Sequence, residues 1–317
     1  MASVFVPRVG RCVRVAVVIA LVGAALTACS GSRGGGDGTQ SSRLRLVNLA
    51  IISGGDEHDE IGASDNGQWW VISRYATDRV VLVNVRTGAV RTVAGLKRES
   101  GAAYEVTDRG HVQADPHRAS YPDVPLDRTD DGERLYVVKT SILLSSRSGA
   151  VRTVATGFPR LEPELSGSFS GGAISESGHV VTLRTTHAYD PADRNHSVDV
   201  YQFDLRSGRK TWVTRGESAV GGGVAASANG RFVVFDGTTS AGAAKGAHGV
   251  ALRWDRESGK TAAISLRTTG RPGHHGVTGD FSVTDDGRVA FVSYDCNLTA
   301  AVPRHGASSC LYISAPA

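Results

Sequence analysis

The residues of this chain that could do chemistry are its histidines, one short acidic run and its few cysteines. There are ten histidines. Eight of them (His58, His117, His187, His196, His248, His274, His275 and His305) fall in stretches that read as long connections, and only His111 and His179 directly follow turn glycines. Imidazoles hold zinc when several converge at about 2 Å from the ion. Nothing in their spacing predicts that convergence, because polar residues collect wherever loops collect. The acidic run GGDEHDE at 54–60 offers the carboxylate oxygens that hard cations take. It lacks the alternating acids and internal glycine of an EF-hand loop and reads as a solvated connection. Asp56, His58, Asp59, His274 and His275 are therefore only weak metal candidates, and no metal or other cofactor is expected.

Catalytic patterns are scarce. A nucleophile elbow needs G-x-S-x-G, and the nearest string, GSFSG at 167–171, places Phe169 at its centre. No P-loop, dinucleotide fingerprint or HExxH helix is present. Two carboxylates assembled in space need no local motif, so glycan hydrolysis is the catalytic reading left open. No catalytic residue is assigned.

The cysteines point to an address. Arg8, Arg11 and Arg14 precede an apolar run of about eleven residues at 15–25, too short to span a bilayer and suited to a signal-peptide core. Leu26-Thr27-Ala28-Cys29 follows at once and resembles the lipobox of bacterial lipoproteins, which implies that Cys29 is acylated and becomes the first mature residue. The other reading is an ordinary signal peptide with an incidental cysteine. Acylated, Cys29 would hold the chain to the outer face of the cytoplasmic membrane. The expected division is a leader at 1–28, a Gly/Ser tether at 29–43 (SGSRGGGDGTQSS within it) and one domain at 44–317. Cys12 leaves with the leader, so Cys296 and Cys310 remain in an exported domain and are expected to pair as a disulfide. A metal or redox pair is the rival, and their spacing is unlike CxxC.

Charge excludes one class of partner. The formal charge is +4, and losing the three leader arginines, with no acids among those residues, leaves +1 (4 − 3). A near-neutral domain has no general nucleic-acid footprint.

The elements that must position these groups come as repeats. One glycine turn closes ASDNG (Gly67), SESG (Gly178), SANG (Gly230) and TDDG (Gly287), with TDRG (Gly110) and TDDG (Gly132) as rival copies. A second closes VNVRTG (Gly88), SSRSG (Gly149), FDLRSG (Gly208) and WDRESG (Gly259). Repeats at such a period indicate a repeat architecture. Each unit reads as four short strands, A to D, as in Asn66-Gly67, QWWVIS (68–73), VVLVNV (80–85), Thr87-Gly88 and AVRTVA (89–94). The Asn-Gly dipeptide favours a type I′ two-residue hairpin. Strands B and C are continuous apolar runs, which suits sheets covered on both faces.

Spacing sets the count. From each C-D glycine to the next A-B glycine the steps are 22 (88 to 110), 29 (149 to 178), 22 (208 to 230) and 28 (259 to 287). Five units are predicted, around Gly67, Gly110, Gly178, Gly230 and Gly287, with the Gly132 turn as an insertion or extra hairpin; six units are the alternative. The last unit lacks a strand D. LVNLAII at 46–52 stands at the offset from Gly67 that a D strand has, and would complete that unit and close the ring.

SANGRFVVF (227–235), TDDGRVAFVS (284–293) and VYQFDLRSGRKTWVT (200–214) resemble the Asp-Gly repeats of TolB-type, WD40-like β-propellers, and the resemblance covers nearly all of 44–317. It implies an all-β propeller of four-stranded antiparallel blades and a role in protein contacts at a bacterial envelope. The chain departs from TolB in having no room for its separate N-terminal domain, and no family binding residue carries over by position.

In such meanders the glycine turns occupy one face and the long connections the other. Binding is expected on the second, where His187, Tyr189, His196 and His305 are the candidate contacts. The favoured expectation is a membrane-anchored module binding an envelope protein; the alternative is a binder of cell-wall glycans or small ligands, or a glycan hydrolase. The four tryptophans, Trp69, Trp70, Trp212 and Trp254, lie at strand positions and read as core.

Overall fold

Short β-branched and aromatic runs separated by glycine turns make strands and little else. The computed structural model describes residues 45–46, 58–64, 66–74, 79–97, 103–115, 127–129, 133–138, 141–146, 148–156, 171–239, 245, 249–300 and 309–317. Outside the described residues lie the leader, the tether with Cys29, Asp56, His117, His248, His305 and positions 47–52 of the expected closing strand. The described chain is all-β, in several small antiparallel sheets.

Strand β1 (Arg45–Leu46) is followed by a four-stranded meander of β2 (His58–Ala63), β3 (Trp69–Arg74), β4 (Arg79–Asn84) and β5 (Val90–Lys97). Strands β6 (Ala103–Val106) and β7 (Val112–Asp115) form a two-stranded hairpin. A second meander joins β8 (Asp127–Arg128), β9 (Arg134–Val138), β10 (Ser141–Ser145) and β11 (Val151–Thr156). The third holds β12 (Gly172–Ile174), β13 (Val180–Thr185), β14 (Asp199–Asp204) and β15 (Lys210–Trp212). The fourth holds β16 (Ser218–Ala226), β17 (Phe232–Thr238), β18 (Val250–Asp255) and β19 (Lys260–Ala263). The last sheet runs β20 (Val277–Val283), β21 (Val289–Ser293), β22 (Cys310–Ile313) and then β1, which pairs Arg45 with Ile313 and Leu46 with Tyr312.

Two expectations about the repeats are corrected. The strands flanking Gly149 pair with the Gly132 hairpin, Ser141 to Ser145 against Arg134 to Val138, and not with the Gly110 hairpin. The strands on either side of Gly132, β8 and β9, therefore belong to a four-stranded sheet rather than to an insertion. The physical reason is packing between sheets: Leu135 of β9 and Leu144 of β10 share one buried cluster with Ile174, Val181 and Tyr201 of the next sheet.

The second correction concerns the turn. Of the pair Asn66-Gly67 only Gly67 has a positive φ (64°), since His196 is the only described non-glycine residue with one, so Asn66-Gly67 is not a type I′ turn. The loop is wider, closed by Gly67 N–H to Ser64 O (2.8 Å) and Ser64 N–H to Trp69 O (2.9 Å). Asn66 Oδ1 stabilises it by accepting from Ser64 Oγ–H and Gln68 N–H. The same Ser/Asn scheme recurs at Ser227 and Asn229. The side-chain caps make a four-position loop better satisfied than the two-residue turn.

Neighbouring sheets pack face to face. Trp70, Ile72, Val83 and Val85 of the first sheet meet Ala290, Val292, Leu311 and Ile313 of the last. Val71, Val80 and Leu82, on the other face of the first sheet, meet Val106. Leu135 and Leu144 meet Ile174, Val181 and Tyr201; Val200 and Val213 meet Val233 and Leu252; Phe232 and Val234 meet Val283 and Phe291. The apolar runs within β3, β4, β17 and β21 are thus covered on both faces, as such runs require. Trp70 and Trp254 are buried in this core, while Trp69 and Trp212 are half-buried.

Candidate functional site

Because each sheet is a meander, its glycine turns leave one end and its longer connections the other. Two groups of described connections at the second end carry the polar chemistry. The first is the β13–β14 loop. Its Tyr189 ring is turned onto the sheet, edge-on to Tyr201 (5.4 Å) and Phe203 (5.1 Å), with His187 against it at 4.5 Å. Tyr201 donates its hydroxyl to Asp193 Oδ2 at 2.5 Å. Burial pushes both phenols well above their ordinary range, and for Tyr201 the bond to Asp193 adds to it. Beneath them Asp199 accepts from Trp212 Nε1–H (2.8 Å) and from the Thr214 hydroxyl. Of the residues expected on the binding face, His187 and Tyr189 therefore serve mainly as a plug over the sheet. His196 is exposed at the other end of the loop with φ 56°.

The second group joins the β19–β20 loop to the start of the β21–β22 loop, and Asp295 organises it. Its side chain is only 3% exposed. Asp295 Oδ2 accepts from the backbone N–H of His275 (2.7 Å) and Gly276 (3.3 Å), and Arg267 Nη2 stands 3.6 Å from Oδ1. Burial alone would raise this carboxyl, but the backbone N–H groups of His275, His274 and Gly276 outweigh it and hold the carboxyl below its ordinary value. A Cβ at Gly273 would overlap the carboxylate, so glycine is needed there for the close approach. Ser293 Oγ–H donates to Gly276 O at 2.8 Å, and Tyr312 donates its hydroxyl to Asp295 O at 3.0 Å. Cys296 and Cys310 are joined by a disulfide with Cα atoms 5.1 Å apart, tying this loop to β22. The outcome is a hydrogen-bonded platform that displays Arg271, His274, His275 and Tyr294 to solvent.

A third pair lies between adjacent sheets. Burial lowers the Arg184 guanidinium, and the Asp236 carboxylate acts against that shift. Sequence reasoning missed both residues, though a signal existed: Arg184 is six positions after Gly178 and Asp236 six after Gly230, the same site in successive repeats. Asp295 was missed as well, hidden beside Cys296.

Among the described residues no group of three or more His, Cys, Asp and Glu is arranged to hold a metal ion. His274 and His275 are exposed neighbours without a third ligand, and the side chains of His58 and Asp59 lie outside the described residues although their backbone belongs to β2. The crevice beside Asp295, lined by Gly249, Val250, Pro272 and Gly273 among others, holds about 190 Å3 including open solvent. That is below the roughly 300–1,000 Å3 of small-ligand sites. Among the described residues no helix is long and apolar enough to cross a membrane.

No family model matches the chain. No curated protein matches it either. Among solved structures it aligns with TolB from Acinetobacter baumannii at 11% identity, covering 82% of this chain and 55% of that one, with a TM-score of 0.31. It also aligns with a putative TolB from Agrobacterium tumefaciens (13% identity, 83% and 91% covered, TM-score 0.36) and a gluconolactonase from Xanthomonas campestris (13%, 88% and 91%, TM-score 0.47). These distant neighbours are β-propellers. The chain spans about half the length of the first. Their printed activities differ, and likeness at this distance carries no function to this chain.

Proposed function

We propose that this chain is a lipid-anchored, extracytoplasmic β-propeller whose loop end binds another protein at the cell envelope. The observation that carries the binding half is the platform around Asp295: a fixed surface with polar and aromatic side chains outward, beside a crevice of about 190 Å3 that includes open solvent. A preorganised surface with only a small crevice suits a macromolecular partner. The address rests on the sequence, on Arg8, Arg11, Arg14 and the Leu26-Thr27-Ala28-Cys29 string. A disulfide at Cys296 and Cys310 fits an oxidising compartment.

For the scaffold, the reading is a ring of six blades, the β6–β7 hairpin belonging to the sixth, closed by β1. What supports it is the series of sheet-on-sheet contacts, including that between the first and last sheets, and the pairing of β1 with β22. Five blades, one for each four-stranded sheet, would leave the β6–β7 hairpin without a place.

The test is to grow cells on a clickable palmitate analogue, compare wild type with Cys29→Ala, and cross-link the native protein in its membrane. Wild type should carry label and a reproducible protein partner, with both lost in the variant. Label on neither protein removes the anchor; a labelled protein without any cross-linked partner removes the binding role.

A further inference from the structure

We infer that the paired loops at 267–276 and 294–298 form a docking surface for an acidic segment of the protein partner, an inference that rests on the protein-binding reading above. Basic side chains outnumber acids in these loops. Across 267–279 and 294–298 the sequence holds Arg267, Arg271, His274 and His275 against a single acid, Asp295. That acid is withdrawn from the surface. It is buried, satisfied by the backbone N–H groups of His275 and Gly276, and faced by Arg267. What solvent meets is Arg271, His274 and His275, with no exposed carboxylate from either loop.

An aromatic anchor lies within the same surface. Tyr294 is 53% exposed, one of two large hydrophobic residues so exposed among those described. Its backbone N–H donates to Gly276 O at 3.1 Å, which binds its strand of the platform to the histidine loop. Tyrosine and arginine are the types enriched at protein interfaces and their hot spots. The platform is fixed before any partner arrives, by the Asp295 bonds, the Ser293–Gly276 bond and the disulfide, so little ordering entropy remains to oppose association. Basic, aromatic and rigid together fit an extended acidic peptide segment, whose carboxylates would meet the Arg271 guanidinium and accept from the imidazole N–H groups while an apolar side chain rests on Tyr294.

The test uses the full-length chain and a fluorescent glutamate-rich peptide, with a glutamine-rich peptide of equal length and inorganic polyphosphate as the other probes. The expected result is binding of the glutamate peptide alone, weakened at least about tenfold in the R271E/H274E/H275E variant and in Tyr294→Ala. Charge reversal at the opposite end, R206E/R209E, should leave binding unchanged, since those arginines are exposed at a glycine turn. Equal losses at both ends, binding of polyphosphate in preference to peptide, or no binding each overturn the inference. Circular dichroism and melting temperature confirm that each variant is folded. Membrane cross-linking separates the two claims: a partner captured equally by wild type and R271E/H274E/H275E overturns the docking surface and leaves the binding role standing.

Discussion

Ser282 donates its hydroxyl to the carbonyl oxygen of Gly67 at 3.0 Å, joining two residues 215 positions apart in the chain. The bond ties the first glycine turn to the last sheet. Glycine is needed for that close approach, because a Cβ at position 67 would overlap the backbone carbonyl of Val283.

Gly67→Ala should therefore destabilise more than Gly208→Ala. Both glycines have positive φ, 64° and 69°, so both variants bear the left-handed cost of about 1–2 kcal/mol. Only Gly67 adds a clash, on the order of 1–3 kcal/mol further, whereas a Cβ at Gly208 meets nothing within 4 Å. Urea melts of the two variants compare them directly; equal midpoints would remove the role of the turn as a contact between sheets.

The disulfide should stabilise by about 3 kcal/mol in the chain-entropy picture for a loop of this length, its cysteines being 14 positions apart. The C296S/C310S double variant, which leaves no stray thiol, should lower the denaturation midpoint accordingly. The effect should vanish when wild type is fully reduced before the melt.

Asp295→Ala should loosen the platform without unfolding the sheets. Amide exchange at His275 and Gly276 should accelerate, since both N–H groups lose their acceptor, while amides of β17 and β21 stay protected. Uniform acceleration throughout the protein would mean that Asp295 supports the whole fold.

Acid should weaken the turn end through Asp255. The Arg231 guanidinium, bonded to it at 2.8 Å, is the main cause that holds its carboxyl at about 2, against about 3.9 unperturbed. A depressed folded value means that the stabilisation is complete above about 3.9 and is lost as the pH falls toward about 2. Asp255→Asn should flatten the stability profile in that window and leave its slope above pH 5 unchanged.

Leu46→Pro should open the end of the last sheet. Among the described residues β1 makes two pairs with β22, and proline at position 46 lacks a backbone N–H and restricts the residue before it. Faster amide exchange in β22 is the expected readout; unchanged exchange would count against closure by this strand.

How much of this was legible in the sequence depends on where the determining forces lie. The strands were, because VVLVNV, RFVVF and RVAFVS carry their burial in their own residue types. The pairing partner of Ser141 to Ser145 was not: two hairpins, at Gly110 and Gly132, competed for it, and the choice is made by packing between sheets. The turn at Asn66 misled because the dipeptide rule knows nothing of Ser64, whose hydroxyl binds Asn66 from two residues away. The platform was legible only as long loops rich in histidine. Asp295 gains its role from backbone N–H groups 19 and 20 residues earlier, and no local pattern announces such a bond. Tyr189 showed the opposite error, since an aromatic in a loop was read as outward when its ring completes the core.

The pairing of β1 with β22 also bears on when the protein can finish folding. A chain made from its N-terminus folds its early parts first, but the partner of Arg45 and Leu46 is synthesised near the end of this sequence. Cys296 waits on the same segment for Cys310. A chain interrupted before those residues would keep two unsatisfied strand edges and a free thiol. Each is a mark by which proteolysis or a disulfide-forming partner could tell an unfinished molecule from a finished one.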